Sequence, residues 1–363
     1  MPIRFLTSGE SHGKCLNAII EGIPAGFKLD LDFINEQLSL RQQGYGRGGR
    51  MQIETDKVEI LSGVRFSQTT GAPICIHIQN KDWENWKIPM SVEEVDREIN
   101  AQLLKEKEIH TYRPGHADFA GSVKYNHEDI RNILERSSAR ETATRVAVGA
   151  VALNILSEFN IEGVASFVSI CGKTQEDEIR AQIDSAKEKG VSLGGEIQIK
   201  FKGLPVGLGT HVHWDRRLDG LLAQAIMSIP AVKSVEMGLG KESAYLSGDR
   251  VHDELFYEGV QFVRRTNNAG GLEGGMTNGE ELVIKAAMKP IPTMKTPLRS
   301  VNALTKEPVE AHFERADVCA VEACATVALN MAAIVLLNAF LERFGCDNYK
   351  QIKENFKTYG HIE

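Results

Sequence analysis

The chain has 363 residues, 42% of them hydrophobic and 25% charged, which supplies enough apolar material for a sizeable core and excludes a disordered composition. Its formal net charge of −7 carries no acidic or basic tail, so nucleic acid is not an expected partner and any anion site must be a local cluster of basic residues. The six cysteines (Cys15, Cys75, Cys171, Cys319, Cys324, Cys346) lack CxxC spacing and mostly adjoin apolar or small residues, which predicts buried free thiols in a reducing compartment. Met1-Pro2-Ile3-Arg4-Phe5 is not a basic segment leading into a long apolar one; export is therefore not expected, and a cytoplasmic location is.

In chain order, Ile20-Glu21-Gly22-Ile23-Pro24-Ala25-Gly26 closes an apolar run with a turn and opens an amphipathic stretch at 29–40, followed by Val58-Glu59-Ile60-Leu61-Ser62-Gly63 and a strand-like segment at 73–78. The same order returns downstream: Phe201-Lys202-Gly203-Leu204-Pro205-Val206-Gly207, an amphipathic stretch at 218–229, then 232–238 and 281–288. This echo predicts a duplicated βαβ-type unit within a single domain spanning 1–363, the copies lying at about 16–90 and 196–293. Between the copies, Ser138-Ala139-Arg140-Glu141 has the form of a capping box opening a helix in which Val148, Val151, Ala152 and Ile155 recur at helical spacing, up to Phe159-Asn160. Strands are expected at 164–170 and 196–201. A long helix, apolar nearly all round, is expected at 318–344 and ends at Gly345. Its most membrane-like part, 323–337, is shorter than the roughly 20 residues a span requires and contains Asn330, so a buried helix is expected rather than a membrane segment. The fold class is α+β, with helices packed on antiparallel or mixed sheets.

Several short segments have the residue types that anion and proton chemistry require. Gly9-Glu10-Ser11-His12-Gly13 sets a histidine on a glycine-punctuated loop, where it is expected to reach solvent and exchange a proton near neutral pH. Arg41, Arg47 and Arg50 stand on a glycine-rich segment read as a loop, suited to close approach and bidentate clamping of phosphate or carboxylate. It lacks the flanking strand and helix of a dinucleotide fingerprint, and a flexible, solvated Arg-Gly loop is the alternative. Arg113-Pro114-Gly115-His116-Ala117-Asp118 is a Pro-Gly turn expected to expose His116 at its tip, two residues before a carboxylate. Arg136, Ser137 and Ser138, with Arg140, stand where the strong helix is expected to begin, and its unpaired N–H groups would cradle phosphate.

In the second copy, 267–277 contains two Gly-Gly pairs. On composition alone it reads as a hairpin or a lid, although it also permits close contact with a flat ligand. Lys289-Pro290-Ile291-Pro292-Thr293 is a stiff strand exit headed by a cation, and Arg315-Ala316-Asp317 precedes the long helix. His211-Val212-His213 has no third ligand nearby, so no metal site is expected.

Gly-Glu-Ser-His-Gly, Arg-Pro-Gly-His-Ala-Asp, Arg-Ser-Ser-Ala-Arg-Glu-Thr and the Arg-x-Asp before an apolar helix occur in this order from residue 9 to about 340, and in this the chain resembles the chorismate synthase family. The resemblance implies a homotetrameric β-α-β sandwich with an internal duplication. It also implies a lyase of the shikimate pathway and aromatic amino acid biosynthesis, which uses reduced FMN for an anti-1,4-elimination of phosphate from 5-enolpyruvylshikimate-3-phosphate. By the same likeness His12 is the acid for the departing phosphate, His116 protonates the reduced flavin, and Asp317 relays a proton near flavin N5.

Arg136, Ser137, Ser138, Pro230, Ala231, Gly274, Lys289, Pro290, Ile291, Pro292, Thr293 and Arg315 match positions at the flavin site. Arg41 and Arg47 match positions the family gives to NADP; with Arg50 and Arg140 they are assigned here to the substrate's anionic groups, NADPH serving only as an indirect reductant. The sequence departs from the family's usual residues at Asn268, expected near a lid over the flavin, and at Ala316. Two other readings remain: a nicotinamide-dependent flavin reductase, and a phosphometabolite- or RNA-binding module built on the Arg-Gly loop.

Overall fold

The structure is a computed structural model that describes residues 2–48, 55–314, 316–345 and 347–359. Two four-stranded sheets organise it. The first runs, in spatial order, Arg4–Ser8, Cys15–Glu21, Ile74–Gln79, Val58–Ser62; the second runs Glu162–Ile170, Gly195–Lys202, Leu282–Met288, Val232–Met237. Every neighbouring pair in both is antiparallel. Each sheet places its fourth strand in chain order between its second and third, and a helix links second to third: Leu31–Gln42 in the first, Leu218–Met227 in the second. The segments 16–90 and 196–293 thus share a strand–helix–strand–strand order, with different short elements before the last strand.

Alternation explains the strands. Leu16, Ala18 and Ile20, then Ile74, Ile76 and Ile78, are buried on one face of the first sheet; Ile197, Ile199 and Phe201, then Leu282, Ile284 and Ala286, are buried on one face of the second. Helix Thr142–Ser157 packs on the first sheet and against helix Val321–Phe344, which in turn packs on the second sheet. The two helices approach so closely that a Cβ on Gly149 would lie 2.3 Å from the carbonyl oxygen of Asn330. Helix Val321–Phe344 is long and apolar enough to cross a membrane by length and composition, but here it lies mostly inside the fold. Its Asn330 is tied down by Nδ2–H bonds to Gln37 Oε1 and Thr326 O, so the buried amide N–H groups have partners.

Local geometry corrects several expectations. The first helix, N-capped by Asp30, runs to Gln42, so Arg41 sits in its last turn rather than on a loop. Ser138 does accept from a backbone N–H, that of Arg140, but the Glu141 carboxylate pairs with Arg145 and Thr7 instead of closing a capping box. Arg136 belongs to the end of a preceding helix, Arg131–Ser137. The long helix starts at Val321, which leaves Asp317 on the loop before it. Within 267–277, Leu272–Glu273 and Met276–Thr277 form a tight hairpin with Gly274 and Gly275 both at positive φ. Cys171 is exposed, because it turns out of the strand end with φ 49°; Cys319 and Cys324 are buried as expected, and Cys346 lies outside the described residues.

Candidate active site

One cavity of about 390 Å³ collects side chains from both halves of the chain. Among the described residues, five cationic groups line it (Arg41, Arg47, Arg113, Arg140, Lys289), as does His116, against two carboxylates, Glu314 and Asp317. In a chain of net charge −7 this is a strong local excess of positive charge. Ser11, Ser137, Ser138, Thr142 and Thr293 add hydroxyls, while Leu134, Ile229, Pro230, Ala231, Met288, Ile291, Pro292 and Val327 supply apolar surface.

The arginines are organised from behind. Arg41 and Arg140, both buried, share the carboxylate of Asp56 (Nη2–Oδ2 3.0 Å and Nη1–Oδ1 2.6 Å), so one anion bridges two guanidinium groups. Burial would raise the pKa of Asp56, but Arg140 and Arg41 more than offset it and hold the carboxyl below its ordinary range. Burial lowers the pKa of Arg41, an effect Asp56 opposes.

The Pro-Gly turn does not expose His116, whose side chain is 15% accessible. Its Nδ1 lies 2.5 Å from Asp118 Oδ1, and Asp118 also accepts from Arg113 backbone N, Nε and Nη2. Burial would raise the pKa of Asp118, but the bonds from His116 and Arg113 outweigh it and keep the group ionised. An ionised Asp118 requires a proton on Nδ1, so the 3.0 Å approach of Arg113 Nη2 to that atom is a contact rather than a hydrogen bond, and Nε2 is the nitrogen free to exchange a proton.

His12 repeats this construction on the other motif. Its Nδ1 donates to Glu135 Oε1 (2.8 Å), its backbone N to Glu135 Oε2 (2.7 Å), and Arg131 Nη1 donates to Glu135 Oε1 (2.8 Å). Burial favours neutral Glu135, yet the His12 bonds and the charges of His12 and Arg131 hold its pKa below the usual value. The ring stacks on Trp86 at 4.0 Å and is 12% accessible, against the expectation of an open loop histidine. His12 itself is absent from the lining; its neighbour Ser11 lines the cavity, and so does Glu314, which shares Arg131 with Glu135. Burial works against ionised Glu314, but His312, Arg131 and His12 bring its pKa down to about 2.

Asp317 accepts from Gly48 N (2.6 Å) and pairs with Arg47 (3.3 Å), joining the basic segment to the loop before the long helix. Lys289 donates to the Gly115 carbonyl beside His116, and burial, then Lys233, lowers its pKa. Ala231 is held at φ 71°, a conformation that costs a side-chain-bearing residue about 1–3 kcal/mol, and its carbonyl accepts from Lys289 N.

Of the residues expected at the site, the cavity thus brings together Arg41, Arg47, His116, Ser137, Ser138, Arg140, Pro230, Ala231, Lys289, Ile291, Pro292, Thr293 and Asp317, with Ala316 beside them. Pro290 is not in the lining. Arg136 points elsewhere, its guanidinium donating to the Gly9 and Thr7 carbonyls, where it braces the His12 loop. Gly274 lies in the tight hairpin near His211. Asn268 is also away from the lining, fixed by Asp253 and the Arg250 carbonyl. Arg50 and Arg315 lie outside the described residues. Sequence reasoning missed Asp56, Asn80, Trp86, Arg131, Glu135 and Glu314, which stand outside the glycine-, proline- and hydroxyl-marked motifs; a nearby signal was His312, two residues before Glu314.

Fold and cavity define an α+β enzyme with a site for a multiply charged, partly apolar small molecule beside a carboxylate-backed histidine. The family model described as chorismate synthase matches residues 3–341. Chorismate synthases from Geobacter metallireducens and Thermoanaerobacter pseudethanolicus are 50% and 51% identical to this chain, each alignment covering 98% of both proteins; that of Aquifex aeolicus is 48% identical over 99% of the chain and 98% of the relative. A crystal structure of chorismate synthase superposes with a TM-score of 0.79 at 39% identity, covering all of this chain and 98% of the other. The chain belongs to the chorismate synthase family, and with it to the carbon–oxygen lyases of the shikimate pathway.

Proposed function

We propose that this enzyme eliminates phosphate from 5-enolpyruvylshikimate-3-phosphate in the anti-1,4 sense, giving chorismate with reduced FMN as cofactor and no net redox change. The observation that carries the reading is the cavity, where an arginine pair sharing one carboxylate, an apolar wall and a carboxylate-backed histidine meet in one space. The residues fit FMN: Pro230, Ala231, Ile291 and Pro292 offer an apolar surface for a flat ring, and Lys289, Ser137, Ser138 and Thr293 offer polar groups for its edges and phosphate. Reduced FMN supplies the electron density that breaking an unactivated C–H bond with loss of phosphate demands and that no side chain provides.

The chain's own groups do the rest. Arg41, Arg140 and Arg47 neutralise the substrate's phosphate and carboxylates, with Arg50 assigned to the same task. His12, held by Glu135, gives a proton to the departing phosphate. With FMN bound, His116 would supply from Nε2 the proton that the reduced flavin takes up, and Asp317 would relay a proton near its N5. Arg136, Gly274, Pro290 and Arg315 remain assigned to the flavin site by family likeness. The layered β-α-β sandwich, the internal duplication, assembly as a homotetramer and a cytoplasmic location belong to the same reading, as does NADPH acting only through a separate reductase.

The test is an anaerobic assay with chemically reduced FMN and the enolpyruvyl substrate, following the new diene by ultraviolet absorbance; no diene and no phosphate release would refute the proposal. NADPH oxidation by protein and FMN alone would assign an intrinsic flavin reductase activity.

A further inference from the structure

Asn80 stands between the arginine pair and the His12 loop, and its amide is fully used. The side chain is buried, with the residue 1% accessible. Its Oδ1 accepts from Arg140 Nε at 3.0 Å, while Nδ2 donates to the Glu10 carbonyl (3.1 Å) and the Gly13 carbonyl (2.8 Å), the two ends of the turn that carries Ser11 and His12. The backbone adds to the clamp: Asn80 N donates to Lys14 O, and Asn80 O accepts from Trp83 N at the start of the short helix Lys81–Asn85 that delivers Trp86 to the His12 ring.

We infer that Asn80 is a positioning residue that couples the anion-binding arginine pair to the orientation of the His12 loop. The inference rests on the proposed role of His12 as the acid for the departing phosphate. The logic is geometric. A guanidinium drawn towards an incoming anion carries its Nε–H with it, and Oδ1 can follow only if the amide turns. The same turn moves both N–H groups that hold the loop. Only an amide meets these demands, since one oxygen must accept from a cation while one nitrogen gives two hydrogens to carbonyls. A carboxylate at 80 would face two carbonyl oxygens with lone pairs, and an alanine would leave the Glu10 and Gly13 carbonyls without these donors.

The experiment uses the full-length protein and inorganic phosphate as the probe. Hydrogen exchange is followed at the Ser11, His12 and Gly13 amides, which are bonded to Glu135 O, Glu135 Oε2 and Glu10 O. In wild-type protein, saturating phosphate is expected to slow these amides by about tenfold. In Asn80→Asp and Asn80→Ala that slowing is expected to vanish. Turnover should fall on the order of a hundredfold from misplacement, with the acid limb of the kcat profile displaced, a change that a purely structural role would not produce. Arg140→Lys keeps the charge, lacks the Nε–H and leaves Asn80 in place; folded by circular dichroism and measured at phosphate concentrations that saturate it, it should lose the phosphate-induced slowing too. Undiminished slowing in Arg140→Lys, or wild-type exchange and kcat profile in a folded Asn80 variant, would overturn the inference. Absence of turnover by wild-type protein would instead strike the elimination itself, because the exchange readout needs no chemistry.

Discussion

Replacing Asp118 by asparagine tests the His116 arrangement most directly. The two carboxylate oxygens now receive four donors: Arg113 N, Nε and Nη2, and His116 Nδ1. Asparagine offers one acceptor oxygen and a pair of hydrogens. If that oxygen faces Arg113, the amide hydrogens face Nδ1 and demand a lone pair there, which moves the ring proton to Nε2 and reverses the tautomer. If it faces His116 instead, it still accepts from Arg113 Nη2, but the backbone N and Nε of Arg113, whose side chain is only 7% accessible, meet N–H groups and lose their acceptor. Breaking a buried pair on one side costs about 3–5 kcal/mol, and loss of a correctly poised acid–base group lowers turnover by about a hundred- to ten-thousand-fold. The urea midpoint and the anaerobic diene assay with reduced FMN measure the two effects. A variant with wild-type midpoint and kcat within twofold of wild type would show that Asp118 neither supports the fold nor orients His116, and the tautomer argument would fail.

His12→Ala and His116→Ala should each reduce kcat by about ten- to ten-thousand-fold while flavin titration stays near wild type; a wild-type rate in either would remove that residue from the chemistry. Gly149→Ala drives a methyl group into backbone atoms of Asn330, with no flexible side chain to yield, so thermal unfolding should show a loss of about 1–3 kcal/mol or more, and an unchanged Tm would mean that the helices separate at little cost. Asp56, Asp118, Glu135 and Glu314 all titrate below their ordinary values when folded, so the stability they contribute is fully present above the unfolded values of about 4–4.5 and is lost as pH falls through the folded ones. The Tm should therefore hold from neutrality to about pH 5 and drop steeply below about pH 4; a flat acid profile would contradict the pairing of these carboxylates.

What the linear order of residues determined is local or repetitive. Strands at 73–78, 164–170, 196–201 and 281–288 showed in the sequence because alternation of apolar residues is a property of neighbours, and the structure places them at Ile74–Gln79, Glu162–Ile170, Gly195–Lys202 and Leu282–Met288. The long helix announced itself by being apolar on every side. The short motifs around His12, His116 and Ser138 stood out because glycine, proline and hydroxyl residues mark places where the backbone turns or opens.

Tertiary structure alone decided the electrostatics. Nothing near position 56 or 135 in the sequence says that Asp56 will join Arg41 to Arg140, or that Glu135 will hold His12, because the partners lie 15 to 123 residues apart and meet only when the first sheet and helix Thr142–Ser157 pack together. The same packing turned Arg136 away from the cavity towards Thr7 and Gly9, and withdrew both histidines from the solvent their glycine-rich loops suggested. Charge interactions depend on distance and burial through space, and a single sequence records neither.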